Sequence, residues 1–124
     1  MNSIPHIGHL FEFILADSLT KYYRQNGRNV YFNTGIDEHG IKVYSKSVEL
    51  NIPIKEHLDN LNDIWLDFCK KFNIDYDNFY RTSSSDHHEK VKVIWNKFLE
   101  RGDIYKKDYT GKYCVGCESF KVDK

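Results

Sequence analysis

Proline is nearly absent: Pro5 and Pro53 are the only two in 124 residues, and neither sits in a small-polar run, so no linker or low-complexity tract divides the chain. Internal repeats are missing as well. Cysteine is scarce. Cys69 stands alone and Cys114-Val115-Gly116-Cys117 holds the other two, which excludes the disulfide framework of a small secreted domain and suits a reducing compartment. Apolar runs stop after a few residues, as at Phe13-Ile14-Leu15-Ala16, so no segment can span a bilayer. A signal peptide needs a basic end and an apolar stretch, and the first turn instead carries His6, His9 and Glu12; a cytoplasmic setting is the default expectation. Charge of one sign is also missing. Lysine plus arginine number 18 and aspartate plus glutamate 18, so no global basic field draws in nucleic acid and any RNA contact must be local.

What is present is apolar material. A hydrophobic share of 40% with 15% aromatics is enough to bury a core, in a chain long enough for one small domain or a piece of something larger. Over residues 6–26, Ile7, Leu10, Phe11, Ile14, Leu15 and Tyr22 keep helical spacing, with Lys21 and Arg24 in the last turns and Gly27 as the stop. Residues 29–34 alternate as a short strand, giving half of a βαβ unit. A second helix is expected over residues 41–50 and a third from Pro53, where Ile54, Leu58, Leu61, Trp65, Phe68 and Phe72 form the clearest amphipathic stripe. That stripe reads as core, with Cys69 beside it as an inert buried thiol. Residues 79–82 read as a strand, and Asp86 with Glu89 as a capping box that opens a helix through Trp95 and Leu99 to Gly102. Residues 104–109 and 112–115 read as a hairpin about Thr110-Gly111. His57, His87 and His88 read as solvent-facing helix residues.

Two loops carry the residue types of chemistry. Pro5-His6-Ile7-Gly8-His9 opens a helix, where free backbone N–H groups and the helix dipole favour an anion. Imidazoles at i and i+3 share a side of the first turn and can donate to one phosphate, and Gly8 leaves room for a flat group such as a purine. Such donors suit a transition state at phosphorus, where charge grows on oxygen. The plainer reading is two surface histidines at a helix start. Thr34-Gly35-Ile36-Asp37-Glu38-His39-Gly40 follows the first strand, at the carboxyl end where open α/β sheets place ligands. Asp37 there can serve as the counter-charge for a ligand ammonium; an ordinary polar turn is the alternative.

Pro5-His6-Ile7-Gly8-His9, then Asn29-Val30-Tyr31-Phe32 leading into the Thr34-Gly35-Ile36-Asp37-Glu38-His39-Gly40 loop, then Tyr113-Cys114-Val115-Gly116-Cys117-Glu118-Ser119-Phe120, resemble in order and spacing the methionyl-tRNA synthetases of bacteria and organelles, which are class I aminoacyl-tRNA synthetases. Arg81-Thr82 at a strand end and Gly102-Asp103-Ile104-Tyr105 extend the resemblance over essentially the whole chain. It implies an α/β fold: the first half of a Rossmann-like nucleotide-binding fold over residues 1–103, lacking its first strand, and the start of a connecting insertion over residues 104–124. It implies ATP, with Mg2+, as a substrate bound by His6, Gly8 and His9. His6 and His9 would be catalytic through the α-phosphate transition state, and Asp37 would hold the amino group of methionine. In the complete enzyme the product is methionyl-adenylate and then charged tRNA(Met), for translation.

The second loop, without a large editing insertion, points to methionine rather than to leucine, isoleucine, valine or cysteine. Cys114 and Cys117 resemble the family's zinc knuckle, but a tetrahedral site needs four ligands. A redox pair and two unligated cysteines are the other readings of that segment. The strand that precedes the signature in the family, and the Lys-Met-Ser-Lys-Ser loop, the second half of the fold and the anticodon-binding domain that follow, have no counterpart in the 124 residues. The chain alone is therefore expected to be inactive, with the remainder of the enzyme as a partner. The alternative function is a non-enzymatic RNA- or partner-binding module with a vestigial nucleotide site.

Overall fold

The computed structural model describes residues 4–121, which fall into two compact units that divide between Glu89 and Lys90. The element order is α1 (Ile7–Gln25), β1 (Asn33–Ile36), α2 (Ile41–Glu49), α3 (Ile54–Lys71), β2 (Asn78–Arg81), α4 (Ser85–Glu100), β3 (Lys112–Cys114) and β4 (Ser119–Lys121). In the first unit β1 and β2 pair in parallel, Asn33 with Asn78 through Ile36 with Arg81. The connection through α2 and α3 makes a βαβ crossover, the expected α/β arrangement.

The first strand lies later than residues 29–34, and a carboxylate explains the shift. The Phe32 N–H donates to an Asp77 side-chain oxygen, while the Phe32 carbonyl accepts from the Asp77 and Asn78 amides. Regular pairing can begin only at Asn33, where the Asn78 side chain also donates to Asn33 Oδ1 at 2.6 Å.

Phe13, Ile36, Trp65, Cys69 and Ile74 form the buried core, with Phe32, Phe68, Tyr76 and Phe79 packed around it. Each large apolar side chain there contributes about 1.5–3 kcal/mol by leaving water. The stripe of α3 buries Leu58, Leu61, Trp65 and Cys69, as its spacing predicts, and burial pushes the Cys69 thiol up to about 11. Helix α1 behaves otherwise. Ile7, Phe11, Ile14, Leu15 and Tyr22 are exposed, and the helix packs through Phe13, Asp17 and Thr20. Polar anchors fix that face: Asp17 accepts from Lys21 at 2.6 Å and from the Asp75 amide at 2.8 Å. Arg24 donates to Asp75 at 2.8 Å, to Asp77 at 2.6 Å and to the Val30 carbonyl at 3.2 Å. The basic residues that read as helix-end charges thus tie α1 to the segment entering β2.

The cap of α4 is Ser84, not Asp86. Ser84 Oγ accepts from the His87 amide at 3.3 Å and its carbonyl from the His88 amide at 3.1 Å, while Asp86 lies inside the first turn and accepts from the Tyr80 hydroxyl. His57 is a second correction. It is buried on α3 rather than solvent-facing, and its Nε2 has no partner among the described residues. In the second unit the hairpin pairs Lys112 with Lys121, Tyr113 with Phe120 and Cys114 with Ser119, so the turn lies at residues 115–118 and not at Thr110-Gly111. Glu118, at φ 51°, closes that turn, and Phe120 packs on Tyr109 and Tyr113 at ring-centroid distances of 4.8 and 5.1 Å.

Candidate functional site

The amino-terminal site is built on a cap made of imidazoles. His6, extended at φ −133° and ψ 178°, is the N-cap of α1; its Nδ1 accepts the Gly8 amide at 3.1 Å, and His9 Nδ1 accepts the His6 amide at 3.2 Å. This is the reciprocal geometry of a capping box, with histidine in both roles. Its chemical consequence is a fixed tautomer. Both Nδ1 atoms are acceptors, so in the neutral rings both protons sit on Nε2, which are the donors left for a ligand. The rings stack at 3.8 Å, and His9 meets the edge of Trp65 at 4.9 Å. Trp65 is 1% exposed, so the pair stands on the core. Desolvation first, then the nearby His6, hold the His9 imidazole below its ordinary range, with Glu12 opposing. Gly8 eases the cap, because a Cβ there would lie 3.0 Å from His6 Cε1 and the ring would have to shift by a few tenths of an ångström.

The second loop leaves the carboxyl end of β1. Gly35 faces Tyr80 in the parallel pair so closely that a Cβ would fall 1.9 Å from the Tyr80 carbonyl oxygen. Only glycine lets the strands meet there, and the approach brings residues 37–39 against residues 81–83. Asp37 Oδ1 accepts from the His39 amide at 3.1 Å and from the Thr82 hydroxyl at 3.2 Å. The His39 amide, first, holds the Asp37 carboxyl below its ordinary range, with Thr82 acting in the same sense. Asp37 is exposed and borders an open cleft of about 260 Å³ with Asn33, Thr34, Gly35, Ile36, Tyr80 and Thr82.

Beneath Asp37 the next side chain is locked. Glu38, 4% exposed, accepts from Arg81 Nε at 2.9 Å and Nη2 at 2.8 Å, and its other oxygen accepts from the Ser83 amide and hydroxyl. Arg81 Nη1 continues to Asp59 at 2.8 Å. The Glu38 amide donates to Thr82 Oγ1 at 2.8 Å, and His39 Nε2 lies 3.0 Å from the Thr82 carbonyl, to which it donates. Sequence reasoning singled out Asp37 but took Arg81-Thr82 only as a strand end and did not single out Glu38 or Ser83. The available signal was position: in a parallel pair the residues that follow both strands emerge at the same end.

The two loops share one support. Trp65 touches His9 and belongs to the same buried cluster as Ile36, the residue before Asp37. Cys114 and Cys117 stand in the second unit, the first half-buried at the end of β3 and the second exposed within the turn that follows. Among the described residues no group of three His, Cys, Asp or Glu could hold a metal ion, so the two thiols are at most half of a tetrahedral site. Glu38 is already committed to Arg81 and Ser83, so the second loop provides no carboxylate cluster for Mg2+ either. No helix among the described residues is long and apolar enough to cross a membrane.

The chain is similar to known proteins along its length. The family model described as tRNA synthetases class I (M) matches residues 1–124. A methionine--tRNA ligase of Helicobacter pylori is 44% identical over 120 residues, covering 97% of this chain and 18% of the relative. One of Clostridium tetani is 44% identical over 115 residues, covering 93% and 18%. The crystal structure of Mycobacterium tuberculosis methionyl-tRNA synthetase bound by methionyl-adenylate superposes with a TM-score of 0.93 at 36% identity, over 98% of this chain and 24% of that one. The chain thus spans about a fifth of the length of the relatives it matches. With a histidine-capped helix and a carboxylate loop on one core, and a family match along its full length, the chain belongs to the class I tRNA synthetases of the methionine type.

Proposed function

We propose that this chain is the segment of a methionine–tRNA ligase that carries ATP- and methionine-binding groups, in an enzyme that forms methionyl-adenylate and charges tRNA(Met). The observation that carries the reading is the shared support of the two loops by Trp65 and Ile36. In the reaction a carboxylate oxygen of methionine bonds to the α-phosphorus of ATP, and the bond from that phosphorus to the pyrophosphate oxygen breaks. His6 and His9 donate from Nε2 to the phosphate oxygens as charge grows there, a contact that matters most in the transition state. Gly8 leaves the backbone open to adenine, and Asp37 holds the ammonium of methionine as an ion pair. Mg2+ would enter with the ATP phosphates and neutralise them.

Residues 1–103 are read as the partial Rossmann-like domain and residues 104–124 as the start of the connecting insertion, with Cys114 and Cys117 as two of the ligands of a zinc knuckle completed by later residues. A cytoplasmic setting belongs to the same reading, since charged tRNA is consumed there. The test is amino-acid-dependent exchange of pyrophosphate into ATP by the full-length protein carrying this segment. Exchange with methionine and not with leucine, isoleucine or cysteine is expected. Exchange driven by another amino acid overturns the assignment, and RNA binding with no exchange supports the binding-module alternative.

A further inference from the structure

We infer that Thr82 is a positioning residue for amino-acid recognition: its single hydroxyl aims the Asp37 carboxylate and fixes the loop behind it. The inference rests on the proposed role of Asp37 as the holder of the ammonium. Thr82 Oγ1 lies 2.8 Å from the Glu38 amide and 3.2 Å from Asp37 Oδ1. A backbone amide can only donate and an ionised carboxylate can only accept, so the hydroxyl proton has one destination, Asp37. Oδ1 then takes two donors, the Thr82 hydroxyl and the His39 amide at 3.1 Å, which orient the carboxylate and leave Oδ2 for a cation.

Thr82 is itself held from three directions. Its amide donates to the Ile36 carbonyl at 3.3 Å, its carbonyl accepts from His39 Nε2 at 3.0 Å, and its neighbours Arg81 and Ser83 grip the buried Glu38. The hydroxyl therefore sits on a rigid strand end, and Asp37, on an exposed loop, borrows that rigidity. Preorganisation of this kind tightens binding by removing the ordering cost from the moment of association. A mainly structural role for Thr82 would affect methionine and ATP alike.

The test is steady-state kinetics of the full-length synthetase carrying this segment. Thr82→Ala leaves room for a water to satisfy the Glu38 amide and should fold; it is expected to raise the KM for methionine about tenfold while the KM for ATP stays within about twofold. Thr82→Ser keeps the hydroxyl and should restore methionine KM to within about threefold of the parent. Thr82→Val, of the same shape without the hydroxyl, should repeat the alanine effect with a lower Tm. Asp37→Asn is measured alongside. If Asp37→Asn impairs methionine use and Thr82→Ala does not, or if Thr82→Ala weakens methionine and ATP equally, the inference about Thr82 is overturned while the ammonium role of Asp37 stands. If Asp37→Asn itself leaves methionine kinetics unchanged, that role fails and the inference fails with it.

Discussion

Gly35 and Tyr80 are register partners in the parallel pair, and a Cβ on Gly35 would stand 1.9 Å from the Tyr80 carbonyl oxygen and 2.7 Å from its carbon. The atoms in the way are backbone, which cannot swing aside as a side chain can. The meeting of the Asp37 loop with Thr82 depends on this one missing methyl group.

Gly35→Ala should therefore destabilise the full-length protein by about 3 kcal/mol or more, the range of a severe core overpacking, and should reduce methionine use through displacement of Asp37. Urea denaturation of parent and variant measures the first effect. A loss below about 1 kcal/mol would show that the strands can separate at little cost.

The histidine cap has a pH signature. Protonating Nδ1 of His9 removes the acceptor for the His6 amide, and burial together with the neighbouring His6 holds the folded pKa below the ordinary 6.5. With the folded value below the unfolded one, the unfolded chain binds more protons between them, so stability rises with pH across that window. The contribution of His9 is complete above about 6.5 and is lost as pH falls through the lowered folded value. Denaturation midpoints from pH 5 to 8 should show this slope in the parent and a shallower one in His9→Gln.

Replacing His6 or His9 by alanine in the full-length protein should lower the adenylation rate by about a hundredfold with a smaller change in the KM for ATP. Pre-steady-state adenylate formation separates the two quantities. Equal effects on both would indicate ground-state binding only.

Arg24 reaches Asp75, Asp77 and the Val30 carbonyl at once. Arg24→Ala should cost about 1–2 kcal/mol, since the contacts are partly exposed, and Arg24→Lys should recover little because an ammonium cannot fork between separate acceptors. Thermal unfolding of the three proteins decides it.

His57 is 6% exposed and its Nε2 lacks a partner among the described residues. Removing an unsatisfied buried polar atom removes its desolvation cost, so His57→Leu should raise stability by about 1 kcal/mol. A marked fall in Tm would mean that the imidazole makes contacts leucine cannot replace.

Much of the fold was legible because it rests on local repetition. The stripe of α3, the stop at Gly27 and the α/β alternation follow from spacing and from single-residue backbone preferences. Element edges were less legible. Asp77, 45 residues from Phe32, sets the start of β1, and Ser84 caps α4 although Asp86 carries the stronger local signature. His57 looked solvent-facing by type and is buried by its place on α3.

By itself the sequence determined which residue types were present at the two loops. His6 and His9 fall on one helical turn, and Asp37 follows a strand, because covalent order and helical pitch allow nothing else. Tertiary structure decided what those groups can do. The tautomers of the histidines follow from a cap seated on Trp65, and the aim of Asp37 follows from Thr82 across the sheet. Within this segment the packing of α1 was also a tertiary outcome: Phe13 reaches the core, and Asp17 and Arg24 meet partners more than 50 residues away. Helical periodicity marks the sides of a helix, but the charge-assisted hydrogen bonds that anchor one of them, part-buried at Asp17 and partly exposed at Arg24, need partners far along the chain, and those come together only once the chain has folded.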